Sequence, residues 1–227
     1  MRLLSFIHSQ LVTKVEPGRK IWPTERHVAG LPVLDLPWPE LLAKAEAMVS
    51  RKGVRSEVSF LDGRTLLRQL FDADYRSWLS QQVLLPSRIG VGGLVARFCR
   101  VRPQGTFSAE TVLPALLTYI ERPLRVLVVG DSSSGIRPLQ DHLQAHTSWH
   151  GIFASSFEAL REGQAADLVV VVKGRLSISD RIRLAGVPAG LVFFADQRLH
   201  RLAQRPQAAD FRPALLAGKS SSGSKAA

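Results

Sequence analysis

An unbroken aliphatic run at residues 126–129 constrains the fold of this 227-residue chain more than any other stretch. A strand that is apolar on both faces belongs inside a parallel sheet covered by helices, because a half-solvated strand would alternate apolar with polar residues. The run ends at Gly130, and small polar residues lead from there to Gly135. Leu139 and Leu143 then recur at helical spacing. The stretch therefore predicts a strand, a tight loop and a helix.

Two later apolar runs repeat this pattern, at residues 167–172 and 190–194. Between the first two runs, residues 155–162 carry Phe157 and Leu160 at the spacing of a helix face, which predicts a helix there. Strands that alternate with helices predict right-handed βαβ units. We therefore predict an α/β fold with Rossmann-like parallel sheet layers and flanking helices.

The chain divides into a central domain and two terminal extensions. The domain is predicted at residues 28–206, in two halves of about 28–122 and 123–206. Residues 1–27 contain several Lys and Arg residues among proline and glycine breakers, which predicts a loosely attached basic arm. Residues 207–227 end in a run of Ser, Gly and Lys and are predicted to be a disordered tail.

Patterning in the first half is less regular but still predicts alternating elements. Helix-forming residues follow Pro39, and Asp62 and Gly63 form a turn between a strand and a helix. The predicted strands are residues 31–36, 57–61 and 83–85, and the predicted helices are residues 41–51, 64–70, 74–80, a segment ending at 98, and 111–121.

The loop from Gly130 to Gly135 admits two interpretations. Its glycine spacing matches the opening of a phosphate-binding P-loop, and Ser132 adds a hydroxyl group. Ile136 and Arg137 follow where that motif needs Lys and then Ser or Thr, which argues against an NTPase. The loop is then either a serine-rich cap of the next helix or a ligand site beyond the carboxyl end of a parallel strand.

The charge balance predicts an anionic partner. Thirty Lys and Arg residues against nineteen Asp and Glu give a formal charge of +11, which attracts nucleic acid, anionic lipid or phosphorylated substrates. The arginines are scattered and aromatic residues do not interleave with them, which argues against nucleic acid. The single cysteine, Cys99, fits a reducing compartment, and no run approaches the ~20 apolar residues of a membrane span. We expect a cytoplasmic protein that touches membrane only at its surface.

Histidine spacing raises the question of a metal. His142 and His146 lie four residues apart, so a helix would place them on one face. Asp141 is the one neighbouring carboxylate, and two histidines alone are a loose signal. We interpret them as the exposed end of a helix, and we predict neither a metal nor a cofactor.

Several segments resemble one family of enzymes. They are the Leu-Leu-Pro-Ser-Arg-Ile-Gly-Val run at 84–91, the Gly105-Thr106 pair, the strand at 125–130, and the segment 166–174 that ends an apolar run in Lys-Gly. In order and in residues they resemble the WecG/TagA/CpsF family of bacterial glycosyltransferases. That family transfers an N-acetylmannosamine-type sugar from a UDP donor to a polyprenyl-diphosphate-linked acceptor.

The resemblance implies a substrate class and a set of site residues. It implies that Asp62 is the catalytic base and that Arg88 and Arg102 face the diphosphate of the UDP-sugar. Gly105 and Thr106 would belong to the same nucleotide site, as would the loop after residue 129. A lipid-linked acceptor further implies contact with an anionic membrane surface at the inner face of the plasma membrane.

The chain departs from the family pattern at the chemical positions. Asp62 is displaced by one residue, Arg88 falls in the family's Pro-Asp-Gly turn, and Phe107 replaces the aspartate of Gly-Thr-Asp. These departures support an alternative in which the fold serves as a binding or scaffold subunit of a polysaccharide-synthesis complex, with Phe107 and Arg88 filling the pocket. A second alternative, a degenerate receiver-like module, would use Asp131 but finds the apolar Val172 near its phosphoacceptor position.

Overall fold

A computed structural model describes residues 25–51, 53–87 and 104–204 of the protein. In chain order, the strands of these residues are β1 (Glu25–Val28), β2 (Leu31–Leu34), β3 (Ser56–Leu61), β4 (Val83–Pro86), β5 (Arg125–Gly130), β6 (Gly151–Ser156), β7 (Ala166–Val172) and β8 (Ala189–Ala195). The helices are α1 (Trp38–Ser50), α2 (Gly63–Phe71), α3 (Ala73–Ser80), α4 (Ala109–Tyr119), α5 (Ser133–His146), α6 (Ile178–Ala185) and α7 (His200–Gln204), and a 3₁₀ turn at Gln197–Leu199 precedes α7.

The strands form one sheet in the order β1-β2-β4-β3-β8-β7-β5-β6. Every neighbouring pair is parallel except the β1–β2 hairpin, which is antiparallel. The predicted α/β class, with a mostly parallel sheet and flanking helices, is confirmed. Because β3 pairs with β8, the strands from before and after residue 123 share one continuous sheet.

Burial on both faces explains the unbroken apolar runs. In β5, Val126 and Val128 pack into one hydrophobic cluster, whereas Leu127 and Val129 pack into another. Helices α1, α4, α5 and α7 cover the first face, and α2, α3 and α6 cover the second. The strand therefore needs apolar side chains at successive positions, as a covered parallel sheet requires.

The helix predicted at residues 155–162 is wrong. Ser155 and Ser156 end β6, which pairs with β5 along its whole length, and a turn follows. The backbone N–H of Phe157 donates to Gly130 O, so the chain turns back over the sheet and buries the Phe157 ring. Phe157 and Leu160 have the sequence spacing of a helix face, but here a turn packs both apolar side chains on the sheet.

Two boundaries at the start of the domain also differ from prediction. Residues 25–27, assigned to the basic arm, belong to β1 and pair with β2. Ala29 and Gly30 have φ angles of 51° and 77° and form the hairpin turn between β1 and β2, and β2 ends at Leu34, two residues before the end of the strand predicted at 31–36. The rest of the predicted arm, the helix ending at 98 and the predicted tail lie outside the described residues.

Gly190 allows α1 to pack closely against β8. A Cβ atom at this position would lie 2.6 Å from Val49 O and 3.0 Å from Met48 O, both in the last turn of α1. Real side chains do not approach backbone oxygens this closely, so the helix end would have to move away. The absence of a side chain at Gly190 therefore sets the helix–sheet distance.

Gly190→Ala should lower the free energy of unfolding by about 1–3 kcal/mol, because the added methyl group overpacks the contact with α1. Chemical denaturation measures the change. Gly174→Ala is the matched control, since a Cβ at Gly174 has no atom within 4 Å. An equal loss of stability in both variants would contradict the packing explanation.

Candidate functional site

A cleft of about 650 Å³ opens where β3, β4, β7 and β8 end. Phe60, Ser87, Lys173 and Ala195 mark these four strand ends in its wall. Ligands of open α/β sheets bind in this position, because loops and helix starts there offer polar groups that the sheet does not use. The cleft is therefore the first candidate for a functional site.

Cationic side chains outnumber acidic ones among the described residues that line the cleft. Among the described residues that line it, five are cationic and three are acidic. The cations are Arg68, Lys173, Arg175, Arg181 and Arg198, and the acids are Asp62, Glu110 and Asp196. Three of these cations are ion-paired: Arg68 with Asp72, Lys173 with Asp131 and Asp180, and Arg198 with Asp196. Arg175 and Arg181 are therefore the cations best placed for a ligand that carries an anionic group, and arginine suits phosphate because its planar fork donates two hydrogen bonds at once.

Arg181 is held in place by an aromatic ring. Its guanidinium carbon lies 4.5 Å from the centroid of the Trp78 ring, and Trp78 packs edge-on against Phe194 with the centroids 5.2 Å apart. The Arg181 Nε atom is buried and has no hydrogen-bond partner among the described residues. A guanidinium that is oriented by stacking and lines the wall is suited to contact an anion in the cleft, although its buried Nε is not itself exposed there.

Asp62 stands at the start of α2, directly after Leu61 of β3. Its Oδ1 atom accepts the backbone N–H of Thr65 at 2.8 Å, which caps the helix. The cap explains why an aspartate follows the strand here, because the first turn of a helix has unpaired N–H groups. The same position brings the carboxylate into the cleft wall beside the cationic residues.

The structure brings three of the sequence-predicted site residues together. Asp62, Gly105 and Thr106 all line the cleft. A Cβ at Gly105 would lie 2.9 Å from Leu36 O and even closer to the Phe107 ring, so glycine permits a close approach of the loop to its neighbours. Phe107 is buried and contacts Trp38 edge-on, and the cavity remains open beside it.

The loop after β5 lies outside this wall. Ser132 Oγ accepts the backbone N–H of Gly135 at 3.1 Å and caps α5. A Cβ at Gly130 would lie 2.6 Å from Ile136 Cγ2, so this glycine lets the helix pack on the strand end. A binding role for Gly130, Ser132 and Gly135 stays a prediction. Arg88 and Arg102 lie outside the described residues.

The sequence reasoning missed a charged triad at the edge of the cleft. Lys173 Nζ lies 2.8 Å from Asp131 Oδ1 and 3.0 Å from Asp180 Oδ2. Lys173 follows β7 and Asp131 follows β5, and these strands are parallel neighbours. The carboxyl ends of parallel neighbours lie at one edge of the sheet. The positions of Asp131 and Lys173 directly after two predicted strands could therefore have indicated that these side chains lie close together. Lys173 directly follows Val172, the position near which a receiver domain would need its phosphoacceptor aspartate.

The triad shifts two pKa values in opposite directions. Hydrogen bonding to Asp131 raises the pKa of Lys173 and outweighs the effect of burial. Burial acts to raise the pKa of Asp180, but hydrogen bonds from Ser177 and Lys173 outweigh it and lower the pKa overall. Both shifts favour the charged forms, so the triad stabilises the folded protein around neutral pH.

Two of the histidines form hydrogen bonds in the described structure. His146 Nε2 lies 3.1 Å from Thr118 Oγ1. His150 is buried between two backbone groups, with Nδ1 accepting Leu124 N–H and Nε2 2.8 Å from Leu117 O. Across residues 25–51, 53–87 and 104–204, no three His, Cys, Asp or Glu side chains are grouped to hold a metal ion.

Comparison with known proteins adds no assignment. Neither the protein-family models nor the curated proteins that were searched match this chain. Within the part of the chain that the structure describes, the helices are too short or too polar to cross a membrane. The chemistry of the cleft is therefore interpreted from its own residues.

Lys173→Met should lower the free energy of unfolding by about 1–2 kcal/mol at neutral pH, because the buried Asp180 carboxylate loses its cation. The folded-state pKa of Asp180 lies below its ordinary value of 3.8, so its contribution is present above pH 3.8 and is lost as the pH falls through the lowered value. The stability gap between wild type and variant should therefore narrow below pH 3.8. Chemical denaturation across this pH range measures it.

At alkaline pH, the contribution of Lys173 to stability has the opposite pH dependence. The pKa of Lys173 lies above its ordinary value of 10.5, so its contribution is complete below pH 10.5 and is lost as the pH rises through the raised value. Arg137→Met, which removes an exposed cation of α5, is the control and should leave the pH profile unchanged. A gap that stays constant down to pH 3 would contradict the role of the triad.

Proposed function

We propose that this protein is a glycosyltransferase-like protein of bacterial surface polysaccharide synthesis. It transfers a sugar from a UDP-sugar to a polyprenyl-diphosphate-linked acceptor, in the cytoplasm at the inner face of the plasma membrane. The observation that carries the proposal is the cleft at the carboxyl ends of the parallel strands, where Asp62 lies in one wall with five cationic side chains. The resemblance of several segments to the WecG/TagA/CpsF family supplies the substrate class.

The cationic wall suits the UDP moiety of the donor. Arg175, Arg181 and Arg198 contact the diphosphate in this proposal, and the aromatic rings of Trp78 and Phe194 in the wall offer an apolar contact to the uracil. Negative charge builds up on the leaving diphosphate as the bond to the sugar breaks. Fixed arginines stabilise that charge more in the transition state than in the bound donor.

Asp62 acts as the general base. Its Oδ1 atom is occupied by the Thr65 N–H, so Oδ2 is the oxygen that accepts the proton of the acceptor hydroxyl. The deprotonated oxygen forms a bond to the anomeric carbon, and the bond from that carbon to the UDP oxygen breaks. UDP leaves with the electron pair, and the proton remains on Asp62.

A second candidate is a binding subunit that retains the cleft without transfer. The observation in its favour is Phe107, which occupies the aspartate position of the family's Gly-Thr-Asp triplet and is fully buried against Trp38. A ligand would then be held by the same cationic wall. The two candidates differ in chemistry and not in the ligand.

Calorimetry should detect binding of UDP and of UDP-N-acetylhexosamines to the purified protein. Arg181→Met should weaken that binding roughly tenfold, because methionine keeps an apolar contact with Trp78 but removes the charged donor. Arg137→Met is the matched control, since Arg137 lies on α5 and does not line the cleft. No heat from folded wild-type protein with any of these ligands would refute the proposal.

Asp62→Asn separates catalysis from binding. Asparagine caps a helix about as well as aspartate, so α2 should remain intact. UDP affinity should change little, and transfer to a lipid-linked acceptor should fall by about 10²–10⁴-fold, because the amide cannot accept the proton. Equal transfer rates in wild type and variant would exclude Asp62 as the base. Binding without transfer in the wild type would favour the second candidate.

A further inference from the structure

Large apolar side chains are exposed on two helices beside the cleft. Phe71 is 83% exposed and Leu67 60%, and both lie on α2. Ile178 is 78% exposed and Ile182 68%, and both lie on α6. In each helix the two residues are four apart and therefore share one side of the helix. Single exposed apolar residues are ordinary, but two such pairs on neighbouring helices indicate an interaction surface.

The two pairs belong to one layer of the molecule. Helices α2, α3 and α6 cover the same face of the sheet, in the clusters that contain Leu61 and Val192. Arg181 of α6 stacks on Trp78 of α3, which brings these helices together. The Tyr75 N–H and then Arg68 lower the pKa of Asp72, just after α2, and Arg175, just before α6, lies close enough to add to this effect.

The charge of this layer is complementary to an anionic surface. Residues 63–80 and 173–185 contain seven Arg and Lys residues and three Asp residues. One of the acids, Asp180, is buried and paired with Lys173. The exposed cations include Arg64, one turn before Leu67, and Arg183, directly after Ile182. Apolar side chains flanked by arginines on helices of one surface layer are typical of segments that rest in the headgroup region of a bilayer.

The structure assigns this layer, defined by the exposed side chains of Leu67, Phe71, Ile178 and Ile182, as the surface that docks on an anionic lipid bilayer. The assignment deepens the proposed function. The reason for docking rests on that function, because the protein would reach a lipid-linked acceptor at the bilayer. Its location rests on the exposed apolar side chains and on the arginines beside them. Arg68 and Arg181 lie on the same two helices and line the cleft, so docking brings the cleft to the membrane surface.

Sedimentation of the full-length protein with vesicles tests the assignment. Wild type should bind vesicles of phosphatidylcholine with phosphatidylglycerol and bind phosphatidylcholine alone more weakly, with a dependence on salt. The double variants Leu67→Ser/Phe71→Ser and Ile178→Ser/Ile182→Ser should each weaken binding to the anionic vesicles roughly tenfold. Both terminal extensions are unchanged in these variants, so any difference from wild type belongs to the helices.

Tyr119→Ser is the matched control. Tyr119 is 44% exposed on α4, which covers the opposite face of the sheet, and its replacement should leave vesicle binding unchanged. Circular dichroism confirms that each variant is folded. Binding by the two double variants that equals wild type, or an equal loss with Tyr119→Ser, would overturn the assignment.

A fluorescent reporter distinguishes lipid from a second copy of the chain. Phe71→Cys in a Cys99→Ser background carries one thiol for an environment-sensitive dye, because Cys99 is the single cysteine of the chain. A blue shift on adding anionic vesicles supports docking. A blue shift that depends on protein concentration without vesicles shows that a second copy covers this face, and it overturns the assignment.

UDP calorimetry on the same variants keeps the two proposals separate. None of the four replaced apolar residues lines the cleft, so UDP affinity should remain that of wild type. Loss of vesicle binding alone in the double variants supports the docking surface whatever the outcome for UDP. Wild-type protein that binds UDP but no vesicle overturns the docking surface and leaves the proposed function standing.

Discussion

The pairing of β3 with β8 is the interaction on which the rest of the structure depends. Three parallel residue pairs join the strands, from Ser56 opposite Leu191 to Val58 opposite Phe193. Arg55 reinforces the junction, because it donates to the backbone oxygens of Leu184, in the last turn of α6, and of Val187, just beyond that helix. Parallel pairing aligns the carboxyl ends of the strands, and this alignment places Asp62 of one half near Asp196 and Arg198 of the other. The cleft is a product of this junction.

The polar side chains at the carboxyl ends of the strands follow from the unpaired backbone N–H groups of the helix starts that they cap. Asp62, Ser132 and Asp196 each cap the first turn of the helix or 3₁₀ turn that follows a strand. Such caps bring acidic and hydroxyl groups to the sheet edge for structural reasons. Two arginines of the wall pair with such capping carboxylates, Arg68 with Asp72 and Arg198 with Asp196. Arg181 stacks on Trp78 and lines the wall, and this makes it the clearest indication of an anionic ligand.

The sequence predicted the fold where burial determines residue type. Strands β5, β7 and β8 were recognisable because both of their faces are covered. Strand β6 was not, because Phe153 is half exposed at the edge and the strand ends in two serines. Strand β1 was missed for a similar reason, since its Glu25-Arg26-His27 sequence reads as part of a basic arm.

The site was predictable only in part. Asp62, Gly105 and Thr106 came from a family resemblance, whereas the contact of Arg181 with Trp78 joins elements a hundred residues apart that no local pattern connects.

The same β3–β8 junction has a consequence for how the chain acquires its structure during synthesis. Ser56 pairs with Leu191, so the edge of β3 that pairs with β8 stays uncovered until almost the whole domain has left the ribosome. Until then, the β1–β4 segment exposes unpaired backbone groups along a strand rich in apolar residues, a state prone to aggregation. Folding of the first half is therefore coupled to the arrival of the last strand, and a nascent chain that stalls before residue 189 leaves both halves with an open edge.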